Sequence, residues 1–328
     1  MQINKNSIIE KLATESREIA NENFGKKIEF YFSTFPNISL TGTSCNLSCK
    51  HCNKKFLERM IPATTPKKLI KICKQLDQNG VVGCLLSGGS REDGTVPLDR
   101  FADAIAQIKK ETNLVLMAHT GPLNREQVKV ITKAGLDGAL VDVIGTKGTI
   151  KEVYGINLSH KHFEKTLRAF EEAGIPNLSP HVIVGLHYGK LYGEFKALEM
   201  ISEITPTNIV IVALIPTQGT SFEKVAAPSP EDIATIIAHA RKIFPTTTIA
   251  LGCVRPGVDL AKIDELSIKA GVNKIAVPSS HAIEVAKSLD LKIKIFDSML
   301  CCVCNEASLK KELEKSPKRW FSTGIIKN

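Results

Sequence analysis

Eight short β-branched or apolar runs, alternating with amphipathic stretches, constrain this chain more than any other feature. The runs lie at residues 38–42, 81–86, 114–118, 138–143, 180–184, 208–214, 247–252 and 274–277. Between them, amphipathic stretches occupy 65–76, 98–110, 124–134, 161–173, 231–243 and 261–270, and several stop at a glycine (Gly80, Gly135, Gly174, Gly271), as helices do at their C-termini. Strand–helix alternation without a composition break calls for a parallel sheet covered by helices, and eight units predict an α/β chain folded as a (β/α)8 TIM-type barrel. A doubly wound open sheet is the competitor, and a six-strand open barrel with two accessory strands is a milder variant. The expected layout is an N-terminal helical segment over 1–36, the barrel over 37–290 and a C-terminal extension over 291–328. Ile8, Ile9, Leu12 and Ile19 give the first segment its helical spacing, and the stretch LKKELEKSPKRW near the end also reads as a helix.

A barrel of this kind carries its site at the C-terminal ends of its strands. Polar or glycine-rich turns stand at each of those ends, among them Ser87-Gly88-Gly89-Ser90, His119-Thr120-Gly121, Asp142, Val184-Gly185-Leu186-His187 and Cys253-Val254-Arg255-Pro256. The turn after the first run carries Cys45, Cys49 and Cys52, spaced Cys-x3-Cys-x2-Cys. Three thiolates without a fourth beside them can hold three irons of a [4Fe–4S] cluster and leave one iron open to activate a ligand. A zinc site, with His51 or a distant cysteine as fourth ligand, competes, but no matching Cys-x2-Cys pair stands at the usual distance. Cys301, Cys302 and Cys304, with Cys253, make four more thiols, enough for an auxiliary iron–sulfur cluster; zinc ligation or redox-active thiols compete there. Cys73 and Cys84 fall inside a helix and a strand and read as core. His119 and His181 flank the expected cavity, as ligand-facing groups or satisfied core histidines. Arg255 could hold a carboxylate or a cluster sulfide, or form a rim ion pair.

Composition removes several function classes. Nine cysteines and no apolar leader predict a reducing, cytoplasmic setting rather than a disulfide framework. No uncharged apolar run reaches the roughly 18 residues of a membrane span. The net charge of +9 is spread along the chain and suits an acidic partner; without an RNA-binding motif, nucleic acid is not expected.

At the cysteine loop the chain resembles the radical S-adenosylmethionine superfamily, whose cluster loop follows the first barrel strand with this same spacing. The resemblance covers about residues 38–280, since the later rim motifs match in order. It implies that Cys45, Cys49 and Cys52 hold the [4Fe–4S] cluster and that S-adenosylmethionine binds its open iron. His51 stands where many members place an aromatic that packs on adenine. Ser87, Gly88 and Gly89 match the glycine-rich turn that approaches the methionyl amino group, although Ser90 stands where many members have glutamate. Asp142 would accept hydrogen bonds from the ribose hydroxyls, with a structural role as the alternative. Ile183-Val184-Gly185-Leu186 resembles the pattern that lies against adenine.

Within the superfamily the motif order resembles the biotin-synthase-related branch, although Met117 and Leu178 stand where that enzyme has barrel-interior cysteines. The Thr-Gly-Thr-Ser-Cys opening, the Leu-Gly-Cys-Val-Arg-Pro turn and the C-terminal Cys-Cys look most like a component of the two-protein lipoyl synthase. That resemblance implies a sulfurtransferase that makes a 5′-deoxyadenosyl radical and inserts sulfur from an auxiliary cluster into an unactivated C–H of a protein-bound octanoyl chain. The implied partners are an octanoylated lipoyl-carrier domain or peptide, a second radical enzyme of the same superfamily, and an electron donor such as ferredoxin or flavodoxin. Competing readings are a radical maturase of another small cofactor, biotin-synthase-like sulfur insertion on a different substrate, and a non-catalytic iron–sulfur scaffold.

Overall fold

A computed structural model describes residues 5–296 and 300–304; the expected helix at LKKELEKSPKRW lies outside the described residues. Among the described residues, eleven strands form one all-parallel sheet. They are β1 Lys27–Tyr31, β2 Asn37–Ser39, β3 Ile61–Pro62, β4 Gly83–Ser87, β5 Val115–His119, β6 Gly138–Asp142, β7 Asn177–Val184, β8 Asn208–Ala213, β9 Thr248–Leu251, β10 Lys274–Ala276 and β11 Lys292–Phe296. The order is β11-β1-β10-β9-β8-β7-β6-β5-β4-β2-β3, a curled (β/α) barrel whose ladder ends at β11 and β3. All eight predicted strands are present, as β2, β4, β5, β6, β7, β8, β9 and β10. The unpredicted β1 and β11 extend the sheet beyond residues 37–290 on both sides. Their sequences, Lys-Ile-Glu-Phe-Tyr and Lys-Ile-Lys-Ile-Phe, alternate charged with apolar residues, the pattern of half-exposed strands rather than of the barrel's apolar runs.

Each barrel strand divides its side chains between two cores. In β8, Ile209, Ile211 and Ala213 pack outward against helices, while Val210 and Val212 point into the barrel. The helices start and stop where local chemistry requires. Thr65 caps Lys68 N ahead of Pro66, and Asn124 with Gln127 forms a capping box. Gly80, Gly135, Gly174 and Gly271 all have positive φ. The N-terminal helix Lys5–Phe24 packs on the helix Pro230–Ile243, with Ser16 Oγ donating to Ala238 O at 3.2 Å. No described helix is long and apolar enough to cross a membrane.

Candidate active site

The strand ends converge on one cavity of about 430 Å³. The loop after β2 brings Cys45, Cys49, His51 and Cys52 to its wall, and the turn after β4 brings Ser87, Gly88, Gly89 and Ser90. The cysteine loop is shaped by its own backbone: Cys52 N and Asn53 N donate to Cys49 O, Lys50 N donates to Val153 O, and Asn53 and Lys54 both adopt positive φ. Gly89 is needed for a packing reason: a Cβ there would meet Ser44 O at 2.0 Å and Cys45 Cα at 2.6 Å. The two turns are laced together, Gly89 N donating to Thr41 Oγ1 at 2.6 Å and Ser90 N to Cys45 Sγ at 3.2 Å. Gly89→Ala is therefore expected to displace the Cys45 loop and lose most of the iron that the loop binds while the barrel still folds. Iron per chain and far-ultraviolet circular dichroism would check both halves.

Cys45 Sγ also accepts from Leu47 N at 3.4 Å. The Cys49 thiol, donating to Cys52, holds the Cys52 sulfur down to about 4 and is itself pushed well up by that same bond and by burial. Among the described residues no three His, Cys, Asp or Glu side chains are gathered closely enough to form a metal site as they stand. The donor set nevertheless fits an iron–sulfur cluster in kind and place. Three thiols share one cavity wall, two share a proton that metal binding would release, and two amide N–H groups already point at the third sulfur.

Deeper in the cavity lie Asp142, at the end of β6, His119, at the end of β5, and His181 on β7. Asp142 and His181 are register partners; His119 Nδ1 is 4.0 Å from Asp142 Oδ1 and its ring is 5.0 Å from that of His181. His181 Nδ1 lies 2.9 Å from Ser179 O, which can only accept, so Nδ1 carries the proton and Nε2 keeps a lone pair. Burial, with the neighbouring His119, pushes the His181 pKa down from 6.5 to about 4. The unfolded chain then binds the extra proton between those values, so stability should fall by up to about 3 kcal/mol as pH drops from about 6.5 to about 4. Urea midpoints measured against pH should show that acid limb in the wild type and lose it in His181→Leu.

Sequence reading missed Tyr154, a half-buried aromatic on a one-turn π-helical segment, which lines the cavity with its ring 5.2 Å from that of His51. Val184 is fully buried on the helix side of β7 and Gly185 turns against Pro228, so neither side of that pair lines the cavity; Ile183 and Leu186 do. Parity also corrects the barrel-interior position on β7. Met117 does point inward, but Leu178 faces the helices, and Asn177, Ser179 and His181 share the inner face.

Cys253, Cys301 and Cys302 line the same cavity as the first three cysteines; Cys304 is buried beside them in the barrel interior. Cys253 is exposed as a residue, yet its thiol is pushed up by burial and by Cys301. Cys302, donating to Cys301, holds that thiol below its ordinary value and is itself raised. Arg255 resolves to the rim ion pair: its guanidinium bonds Asp264 at 3.0 Å and the carbonyls of Gly252, Ala276 and Val277. Cys73 and Cys84 are fully buried, away from the cavity.

Comparison with known proteins adds independent findings. Residues 39–190 match the model of the Radical SAM superfamily. A biotin synthase of Acetivibrio thermocellus is 24% identical over 275 residues, 82% of either chain. A 3-methylornithine synthase of Methanosarcina acetivorans is 23% identical, with 96% of this chain and 88% of that one aligned. Among solved structures, methylornithine synthase (PylB) superposes with a TM-score of 0.64 at 15% identity over 95% of this chain and 94% of its own. The hydrogenase maturase HydG gives 0.67 at 16% identity over 94% of this chain and 72% of its own. At these identities the superpositions bear on the fold alone.

Proposed function

We propose that this chain, which belongs to the radical S-adenosylmethionine superfamily through residues 39–190, inserts sulfur into unactivated C–H bonds of a protein-bound octanoyl chain as one component of a two-protein lipoyl synthase. One observation carries the sulfur-insertion reading: Cys253, Cys301 and Cys302 line the same cavity as Cys45, Cys49 and Cys52. A sulfur source and a radical source would then face one substrate without any domain movement.

In this reading Cys45, Cys49 and Cys52 hold the first cluster, and Cys253, Cys301, Cys302 and Cys304 supply ligands for a second. When bound, the first cluster supplies the electron that cleaves S-adenosylmethionine to a hydrogen-abstracting radical. The chain's own residues do the positioning. His51, Ile183 and Leu186 flank the adenine, Ser87, Gly88 and Gly89 give the methionyl group close backbone approach, and Asp142 accepts from the ribose hydroxyls. Leu47, Phe56, Met60, Ile156, Phe163 and Leu214 give the cavity an apolar wall that suits an aliphatic chain and keeps water from a radical. A net charge of +9 suits an acidic carrier domain and an acidic electron donor, both met in a reducing cytoplasm.

A second reading has its own observation. His119 and His181 face the cavity as a pair of imidazoles, their rings 5.0 Å apart, that the octanoyl reading leaves unused, which favours a small polar precursor, as for a cofactor maturase or a biotin-synthase-like substrate. The test is anaerobic turnover of reconstituted protein with S-adenosylmethionine, reductant and an octanoyl-lysyl carrier domain. Sulfur on the acyl chain with matching loss of enzyme sulfide supports insertion. Cleavage of S-adenosylmethionine with sulfide intact and no sulfur transferred overturns it and advances the second reading.

A further inference from the structure

The turn that carries the second cysteine set is gripped by its backbone at the base of the barrel. Asn177, Asn208 and Lys274 are the first residues of β7, β8 and β10, at the end of the barrel opposite the cavity mouth. All three are buried. Asn177 Nδ2 donates to Val303 O at 2.7 Å, Asn208 Nδ2 donates to the same oxygen at 2.8 Å, and Lys274 Nζ donates to Cys304 O at 2.9 Å. Ser179 Oγ donates to Asn177 Oδ1 at 2.6 Å, which orients that amide with its nitrogen toward the turn. Lys274 Nζ also lies 3.8 Å from Glu29 Oε2, and Tyr31 donates to that carboxylate. Cys304 N donates to Cys301 O at 2.9 Å, closing the turn on itself.

A barrel interior is ordinarily filled by branched apolar side chains, and burying two amides and an ammonium is costly unless each finds a partner. Here the partners are carbonyls of one turn, and the collar's bonds leave the sulfurs untouched. We propose that Asn177, Asn208 and Lys274 are positioning residues: a polar collar that seats the Cys301–Cys304 turn by its main chain, so that its thiols keep their place whether or not they carry iron and sulfide. This rests on the reading that those cysteines hold a second cluster. A cluster whose sulfide is consumed leaves bare thiols behind; a turn held through its sulfurs would lose its anchorage at that moment, whereas a turn held by its carbonyls stays seated and can be refilled.

The test uses full-length, metal-free, reduced protein and iodoacetamide, with alkylation of each cysteine followed by mass spectrometry. Cys73, fully buried elsewhere, serves as the internal standard for global unfolding. In the wild type Cys304 should react as slowly as Cys73, and Cys302, which lines the cavity, at a slow rate of its own. In Asn177→Leu/Asn208→Leu they should react about tenfold faster or more, with Cys73 unchanged, as expected when two buried hydrogen bonds are lost from a local opening. Equal protection of Cys302 and Cys304 in the variant and the wild type overturns the collar. If the double variant exposes Cys73 as well, Lys274→Met, which keeps the aliphatic stem and removes the donor, gives the same comparison in a gentler background. Iron content separates the two ideas. Protected thiols in a protein that binds only one cluster leave the seat standing and remove the second cluster. Two clusters in a variant whose metal-free thiols are as protected as the wild type's keep the second cluster and remove the collar's role.

Discussion

Replacing Cys45, Cys49 and Cys52 together by alanine should remove about four irons per chain and abolish reductive cleavage of S-adenosylmethionine. The size of the effect follows from the ligand count. No other described cysteine lies in the loop after β2; Cys253, Cys301 and Cys302 line the same cavity but form the second set, so no thiol of the loop is left to hold a cluster. The barrel should largely keep its stability, because the buried Leu47 and Leu57 stay in place and only Cys49 of the three replaced side chains is buried. Iron, sulfide and 5′-deoxyadenosine would be measured after anaerobic reconstitution. A fall from about eight irons to about four leaves the second cysteine set loaded; a fall from about four to none strips that set of its cluster and the sulfur-insertion reading of its source. Unchanged cleavage in the triple variant would remove this loop from the chemistry altogether.

Much of the fold was legible because local signals agreed with one another. The apolar run at 208–214 is a strand buried on both faces, and Gly80, Gly135, Gly174 and Gly271 do end helices with positive φ. The cysteine loop was legible for the same reason, since its three cysteines lie within eight residues and the structure brings them to one cavity wall. What sequence could not reach depends on register or on distant pairing. Leu178 aligns with a barrel-interior position, yet a one-residue difference on a strand moves a side chain to the opposite face, and Ser179 lies inside instead. That Asp142 and His181 stand side by side follows from the β6–β7 register. That the C-terminal cysteines reach the same cavity as the first three follows from Asn177 and Asn208 gripping Val303, across 126 and 95 residues of chain. The sequence leaves Arg255 between a ligand role and an ion pair, and Asp264, one loop and one helical turn further on, decides it by pairing with the guanidinium.

That ion pair carries the second large expected effect. Arg255 and Asp264 have side chains 2% and 0% exposed, and the guanidinium spans the loops after β9 and β10 by bonding Gly252 O, Ala276 O and Val277 O. Arg255→Ala would leave Asp264 as a buried carboxylate whose remaining partner is Ser279 N, at 2.7 Å, and would orphan the buried carbonyls; the expected cost is about 3–5 kcal/mol of folding stability. Arg255→Met/Asp264→Leu should cost less than the single substitution, because removing both charges leaves neither one desolvated and unpaired. Urea unfolding of the three proteins closes the comparison, and a single variant within about 1 kcal/mol of wild type would show that the pair does not hold the rim. The same bonds bear on chemistry. Val277 is a β-branched residue at φ 50, a conformation that survives only where its surroundings impose it, and Tyr31 O and Arg255 are what impose it. Gly252, pinned by the same guanidinium, immediately precedes Cys253. Losing Arg255 should therefore loosen the loop that presents Cys253 to Cys301, and the hydrogen-bonded amides of Gly252 and Val277 should exchange with solvent faster in Arg255→Ala even at temperatures where the barrel is fully folded.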